Sequence, residues 1–182
     1  MATEHQQEFL ALYEPIHDRF TRYCGSHAYG LMEAEDLVHE TILITLQKFS
    51  SIRDKNKLLP FMMAVAGNIM KTGWRKNKFK TPFDEEALKK LEAKINDPET
   101  ALDVHYLYKA LNQLHPKEKD AVLLFEVSGF SVKEISEIQQ SNEGAVRTRL
   151  SRARQKLKEM LSDETLTVKE DSVMSTLFTI AL

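Results

Sequence analysis

The 182-residue chain has one cysteine, Cys24. A single thiol excludes a disulfide framework and any all-cysteine metal site, and it suits a reducing compartment. Six glycines and five prolines provide few breaks, and no alternating Val/Ile/Thr stretch is long enough for a convincing strand. Long apolar runs are missing too. The longest apolar-rich segment, residues 173–182, falls far short of the roughly 20 residues of a membrane span, so no membrane insertion is expected. Residues 1–9 contain Glu4 and Glu8 and no base, which argues against a secretory leader. Phosphate loop, nucleophile elbow and zinc-ligand spacing are all lacking, so no catalytic, cofactor or metal residues are expected. What is there, 42% hydrophobic and 29% charged residues, is the profile of a globular chain that buries a core without staples.

The net charge of −2 conceals an asymmetry. Residues 1–50 hold eight acids and three bases, a balance of −5. Residues 71–80 carry Lys71, Arg75, Lys76, Lys78 and Lys80 with no acid, a balance of +5. Residues 142–160 carry six bases against Glu143 and Glu159, a balance of +4. Two basic patches in an otherwise acidic chain are a footprint for a polyanion, although solvated basic helix faces are also common.

The periodicity predicts an all-α chain. A first helix is expected over 4–23, with Phe9, Leu12, Tyr13, Ile16, Phe20 and Tyr23 on one face and Pro15 kinking or breaking it. Gly25 and Gly30 are expected to bracket a turn. A second helix is expected over 32–49 and a third over 59–76, separated by a polar loop at 50–58. Residues 81–98, with Pro82, Pro98 and the acids Asp84, Glu85 and Glu86, read as a linker. Further helices are expected over 99–114, 116–127, 131–139 and 142–161, then a tail at 162–182. The expected organisation is therefore two small helical domains, 1–80 and 99–161, joined by that linker. Ser131 with Glu134 forms a capping box, and Asn142 is an N-cap candidate.

The strongest motif spans residues 131–158. A short amphipathic helix (Val132, Ile135, Ile138) is followed by a turn of about four residues. A longer helix comes next, with Val146, Leu150, Ala153 and Leu157 on one face. Arg147, Thr148, Arg149, Ser151, Arg152 and Arg154 lie on the others. That is a helix-turn-helix layout. An α-helix fits the major groove, where arginine bonds guanine bidentately and flanking cations hold phosphates.

The run LHPKEKDAVLLFEVSGFSVKEISEIQQSNEGAVRTRLSRARQKLKEML (114–161) resembles the C-terminal promoter-binding domain of sigma-70 family factors, most closely the extracytoplasmic-function (ECF) group. Pro116, Glu134–Ile135, Gly144, Val146, Arg149–Leu150 and Arg152–Ala153–Arg154 stand in the family's register. EAEDLVHETILITLQKF (33–49) is similar to the acidic helix by which the family docks on core RNA polymerase. LPFMMAVAGNIMKTGWRKNK (59–78) is similar to the helix that packs at the promoter −10 element. There are departures. Phe61 replaces Trp, Ala64, Gly67 and Thr72 replace charged residues, Gln139–Gln140 replace the Leu-Gly of the turn, and Ala145 replaces Thr.

The resemblance implies a transcription initiation factor acting in the cytoplasm, with core RNA polymerase, promoter DNA and an anti-sigma protein as partners. It places polymerase contacts at Glu35, Asp36, Leu37, Val38 and Glu40. It places −10 contacts at Arg53, Lys55, Asn56, Lys57, Asn68 and Arg75. Arg147, Thr148 and Ser151 take base-facing positions at the −35 element, and Arg149, Arg152 and Arg154 take phosphate positions. Three other readings compete. A stand-alone helix-turn-helix regulator shares the motif, but a response-regulator type would need strands upstream. A carboxylate-bridged metal site at Asp36, His39 and Glu40 lacks a second Glu-x-x-His helix. A purely structural protein leaves the two basic patches unexplained.

Overall fold

In the computed structural model, residues 4–29, 31–76 and 98–163 are described, with side chains over 4–29, 31–72, 98 and 100–161. Residues 81–97 of the expected linker, the tail beyond residue 163, the residue-30 end of the expected turn and much of the 71–80 basic patch lie outside them, while Pro98, expected to end the linker, begins a helix. Every regular element among the described residues is helical. The chain divides into two compact units, Met1–Lys80 and Thr81–Leu182.

The first unit holds α1 (Glu4–Tyr13), α2 (His17–Ala28), α3 (Ala34–Lys48) and α4 (Leu58–Lys76). Pro15 breaks the expected first helix. It sits in a 3₁₀ turn, Glu14–Ile16, between α1 and α2, because its ring removes an N–H and blocks the helical carbonyl behind it. Gly25 does not begin a turn as expected but lies inside α2, which runs on to Ala28. A glycine in a helix costs only about 1 kcal/mol relative to alanine. Burial of Tyr23, Cys24 and Ala28 around it outweighs that at roughly 1.5–3 kcal/mol for a large apolar side chain.

Helix α3 packs on α2 and α4, and α1 packs on α4. Phe49, just past α3, is fully buried and meets the ring of Phe9 edge-on at 5.4 Å. Leu58, Leu59, Met62, Met63 and Ala66 form the buried face of α4, so Met62 and Met63 are packing residues. Pro60 falls in the first turn of α4, where its missing N–H has no helical partner to lose. Burial pushes the Cys24 thiol up to about 12, which removes it from thiolate chemistry.

The second unit holds α5 (Pro98–Leu111), α6 (Pro116–Val122), α7 (Val132–Ile138) and α8 (Glu143–Asp163). The helix expected over 116–127 changes winding after Val122: residues Leu123–Val127 form a π turn and bury Leu123, Leu124 and Val127. Gly129, at φ +69°, ends it. Helix α8 packs on α5, α6 and α7. Its face of Val146, Leu150, Ala153 and Leu157 is buried.

Candidate nucleic-acid interface

Helix α8 is set by its start. Asn142 Oδ1 accepts a hydrogen bond from Ala145 N at 2.8 Å, which caps one orphan donor of the first turn. The preceding α7 is capped by Ser131, whose Oγ accepts from Glu134 N at 3.3 Å while Ser131 N donates to Glu134 Oε2 at 2.9 Å. Between the two helices the chain turns in a Schellman arrangement. Ser141 N donates to Ser136 O at 2.8 Å and Gln140 N to Glu137 O at 3.2 Å. Gln140 has φ +48°, the one positive φ outside glycine among the described residues.

With one face of α8 anchored, Arg147, Thr148, Ser151 and Arg152 share the opposite, exposed face. Arg147 donates to Glu143 Oε2 at 2.7 Å, but its side chain is 64% exposed. Such an i,i+4 surface pair is worth about 0.3–0.5 kcal/mol, so the guanidinium exchanges readily to another acceptor. Thr148 Oγ1 donates to Gly144 O at 2.9 Å, and the residue is exposed. Three other cations of α8 are tied to groups of their own unit. Arg149 Nη1 donates to Gln139 Oε1 at 2.6 Å and Ser141 Oγ at 2.8 Å. Arg154 Nε and Nη2 both bond Glu126 Oε1, the former at 3.1 Å. Lys156 Nζ donates to Glu118 Oε2 at 2.8 Å. Of the three arginines expected at phosphates, only Arg152 is left outside these ties.

In the first unit, Glu35, Asp36, His39 and Glu40 are exposed on α3. Leu37 and Val38 point into the core, so of the five expected contacts only Glu35, Asp36 and Glu40 are exposed. Leu43, one helical turn beyond His39, is 61% exposed. It is not among the expected contacts, although its place off the apolar stripe and one turn past the exposed acids marks it as a surface residue. Between α3 and α4 the expected polar loop contains two short 3₁₀ turns, Phe49–Ser51 and Lys55–Lys57. Asp54 Oδ1 caps the second by accepting from Asn56 N at 3.1 Å. Arg53, Asn56 and Lys57 are exposed. Lys55 is turned inward, with its Nζ donating to Phe49 O at 2.8 Å and lying 3.3 Å from the centroid of the Phe49 ring. On α4 Asn68 is exposed, and its carbonyl accepts from Thr72 Oγ1 at 3.0 Å. The side chains of Trp74 and Arg75 lie outside the described residues. No group of three or more His, Cys, Asp or Glu side chains that could hold a metal occurs among the described residues. None of their helices is long and apolar enough to cross a membrane.

The family model for sigma-70 region 2 matches residues 12–80, and that for sigma-70 region 4 matches residues 105–157. RNA polymerase sigma factor CarQ of Myxococcus xanthus is 31% identical over 137 residues, 74% of this chain and 78% of that protein. The chain belongs to the sigma-70 family. Within it, the ECF group is the place of this factor. ECF RNA polymerase sigma factor EcfG of Rhodopseudomonas palustris is 28% identical over 70% of this chain and 71% of its own length. ECF RNA polymerase sigma factor BldN of Streptomyces coelicolor is 26% identical over 86% of this chain, which spans only 61% of that relative. The crystallised sigma factor RpoE, in complex with the anti-sigma factor NepR from Bartonella quintana, shares the fold. Its TM-score is 0.58 at 22% identity, over 90% of this chain and 99% of that one. An ECF sigma factor is a transcription initiation factor. It binds core RNA polymerase and directs it to promoters.

Proposed function

We propose that this sigma factor reads the −35 element with the outer face of α8 and the −10 element with the 50–57 loop and α4, while the acids of α3 dock on core polymerase. One observation carries the reading. Arg147, Thr148, Ser151 and Arg152 stand together on the exposed face of a helix whose opposite face is buried. That face has the width and donor chemistry of a major-groove reader. Arg147 and Thr148 take base edges and Arg152 takes phosphate. Arg149 and Arg154 tie the helix to the rest of its unit. In the loop, Arg53, Asn56 and Lys57 meet an unstacked −10 base, and Lys55 braces the loop from beneath. Asn68 extends that surface along α4, and the family register assigns Arg75 to the same element. Glu35, Asp36 and Glu40 form the polymerase-docking face, which Leu37 and Val38 support from the core.

The factor acts in the cytoplasm, has no catalytic activity of its own, and is held in check by an anti-sigma protein. The pairing of RpoE with NepR in the solved neighbour supports that last point. The test is promoter-directed transcription with core polymerase from the same source on a pool of genomic fragments, with start sites read by sequencing. Starts that appear only with the factor and share two spaced motifs are the expected outcome. Arg147→Ala is expected to cost about 1–3 kcal/mol of discrimination at one −35 position while core binding is unchanged. Starts that ignore the upstream motif in the unaltered protein would remove the −35 assignment.

A further inference from the structure

Arg149 stands apart from the other cations of α8. It is half-buried, and its Nη1 donates to Gln139 Oε1 and Ser141 Oγ at 2.6 and 2.8 Å. Gln139 passes the connection on. Its Nε2 donates to Asp120 Oδ2 at 2.8 Å and to the Lys117 carbonyl at 3.0 Å, both on α6. The amide has one orientation that suits both ends, with oxygen toward the guanidinium and nitrogen toward the carboxylate. One chain of hydrogen bonds therefore runs from the reading helix, through its turn, to the supporting helix. The apolar face of α8 holds the helix down, but apolar contact is non-directional and leaves tilt and rotation loosely fixed. Charge-assisted hydrogen bonds are directional and supply that constraint.

We propose that Arg149 is a positioning residue for promoter reading. With Gln139 and Asp120 it forms a polar clasp that sets the pose of α8, so that Arg147, Thr148 and Ser151 meet base edges together. The inference rests on the −35 reading of α8. It removes Arg149 from the phosphate contacts. The clasp depends on a departure from the family pattern, which has leucine at the position of Gln139, and leucine has no amide to bridge the two helices. A binding constellation loses function when it drifts by more than about 0.5 Å or 10–20°, and a clasp at the start of α8 acts where the base-facing residues begin.

The experiment uses the full chain with core polymerase, on promoters recovered by start-site mapping and on copies with a scrambled −35 element. Gln139→Leu, Arg149→Met, Arg149→Lys and the Gln139→Leu/Arg149→Met pair are compared. Gln139→Leu and Arg149→Met are each expected to lower the intact-to-scrambled transcription ratio by about tenfold, the scale of one lost charge-assisted hydrogen bond. The pair is expected to be no worse than Arg149→Met alone, because both changes break one device. Core-polymerase affinity stays unchanged, and unfolding stays cooperative at a midpoint lowered by the lost hydrogen bonds. Lysine at 149 keeps the charge without the fork and is expected not to rescue. The salt dependence of DNA binding is expected to keep its slope. A slope lowered by about one in Arg149→Met, with rescue by lysine, makes Arg149 a direct phosphate contact and overturns the clasp. Selective starts that Gln139→Leu leaves untouched overturn the clasp alone. No selective starts with the unaltered chain overturn the promoter reading and this inference with it.

Discussion

Gln140 holds a left-handed backbone, at φ +48°, where a side chain crowds the following carbonyl. The Schellman turn between α7 and α8 demands that conformation, and helices ending this way usually place glycine there. The position is exposed, so the Gln140 side chain contributes little packing to offset the strain. Gln140→Gly is expected to raise stability by about 0.5–1 kcal/mol, the left-handed penalty less the added chain entropy of glycine. Urea unfolding of the full chain, followed by far-UV circular dichroism, measures it. A loss of stability would mean that the glutamine side chain stabilises the turn. The departure from Leu-Gly is visible in the sequence at this position, and so is the strain it implies. The inward turn of Lys55 is not visible, because a cation over a phenylalanine ring looks the same in a sequence as a cation in solvent.

The pair between α6 and α8 shows what one element lends another. Glu118 is 10% exposed and Lys156 44%. The hydrogen bond from Lys156 is the main cause holding the Glu118 carboxyl below the usual carboxylate range, against the opposing effect of burial. A lowered folded-state value means the carboxylate stabilises the fold fully above the ordinary glutamate range, near pH 4.3, and loses that contribution as pH falls through the lowered value. Water reaches the lysine, so the pair is worth about 1 kcal/mol, well short of a fully buried pair. Glu118→Gln is expected to lower unfolding free energy by about that amount at pH 7 and by progressively less toward pH 3. Urea titrations at a series of pH values measure the difference, and a gap that does not narrow would assign the loss to packing.

Helical spacing made the faces of α8 and α3 legible. The predicted stripe of Val146, Leu150, Ala153 and Leu157 is buried in full, and the acids of α3 are outside. Spacing did not reveal which cations were already engaged. Arg154 finds Glu126 and Lys156 finds Glu118 across gaps of 28 and 38 residues, which no local pattern encodes. The end of α2 was misread for a related reason: Gly25 carries a breaker's propensity, but tertiary burial on either side of it prevails.

Taken as a whole molecule, the near-neutral charge is a poor guide to partners, because the +5 of residues 71–80 and the +4 of residues 142–160 are masked by acids elsewhere, with −5 over residues 1–50 alone. Each compact unit carries a part of the proposed DNA-binding surface, and neither a 3₁₀ loop nor one exposed helix face is large enough to bind tightly alone. Two weak contacts in one chain reinforce each other through effective concentration, which falls roughly as the −3/2 power of a flexible connection's length. If residues 81–97 serve as such a connection, doubling their length with a Gly/Ser insertion lowers promoter occupancy by roughly threefold. Start positions and the preferred spacing of the two promoter motifs stay the same, because polymerase sets that spacing. Start-site sequencing on a library of spacer lengths, with the unaltered and lengthened factors side by side, reads both quantities at once. A shift in preferred spacing would mean that the factor itself measures the distance between the motifs. Complete loss of starts would mean that the segment acts as a fitted element, whose own residues take part in initiation.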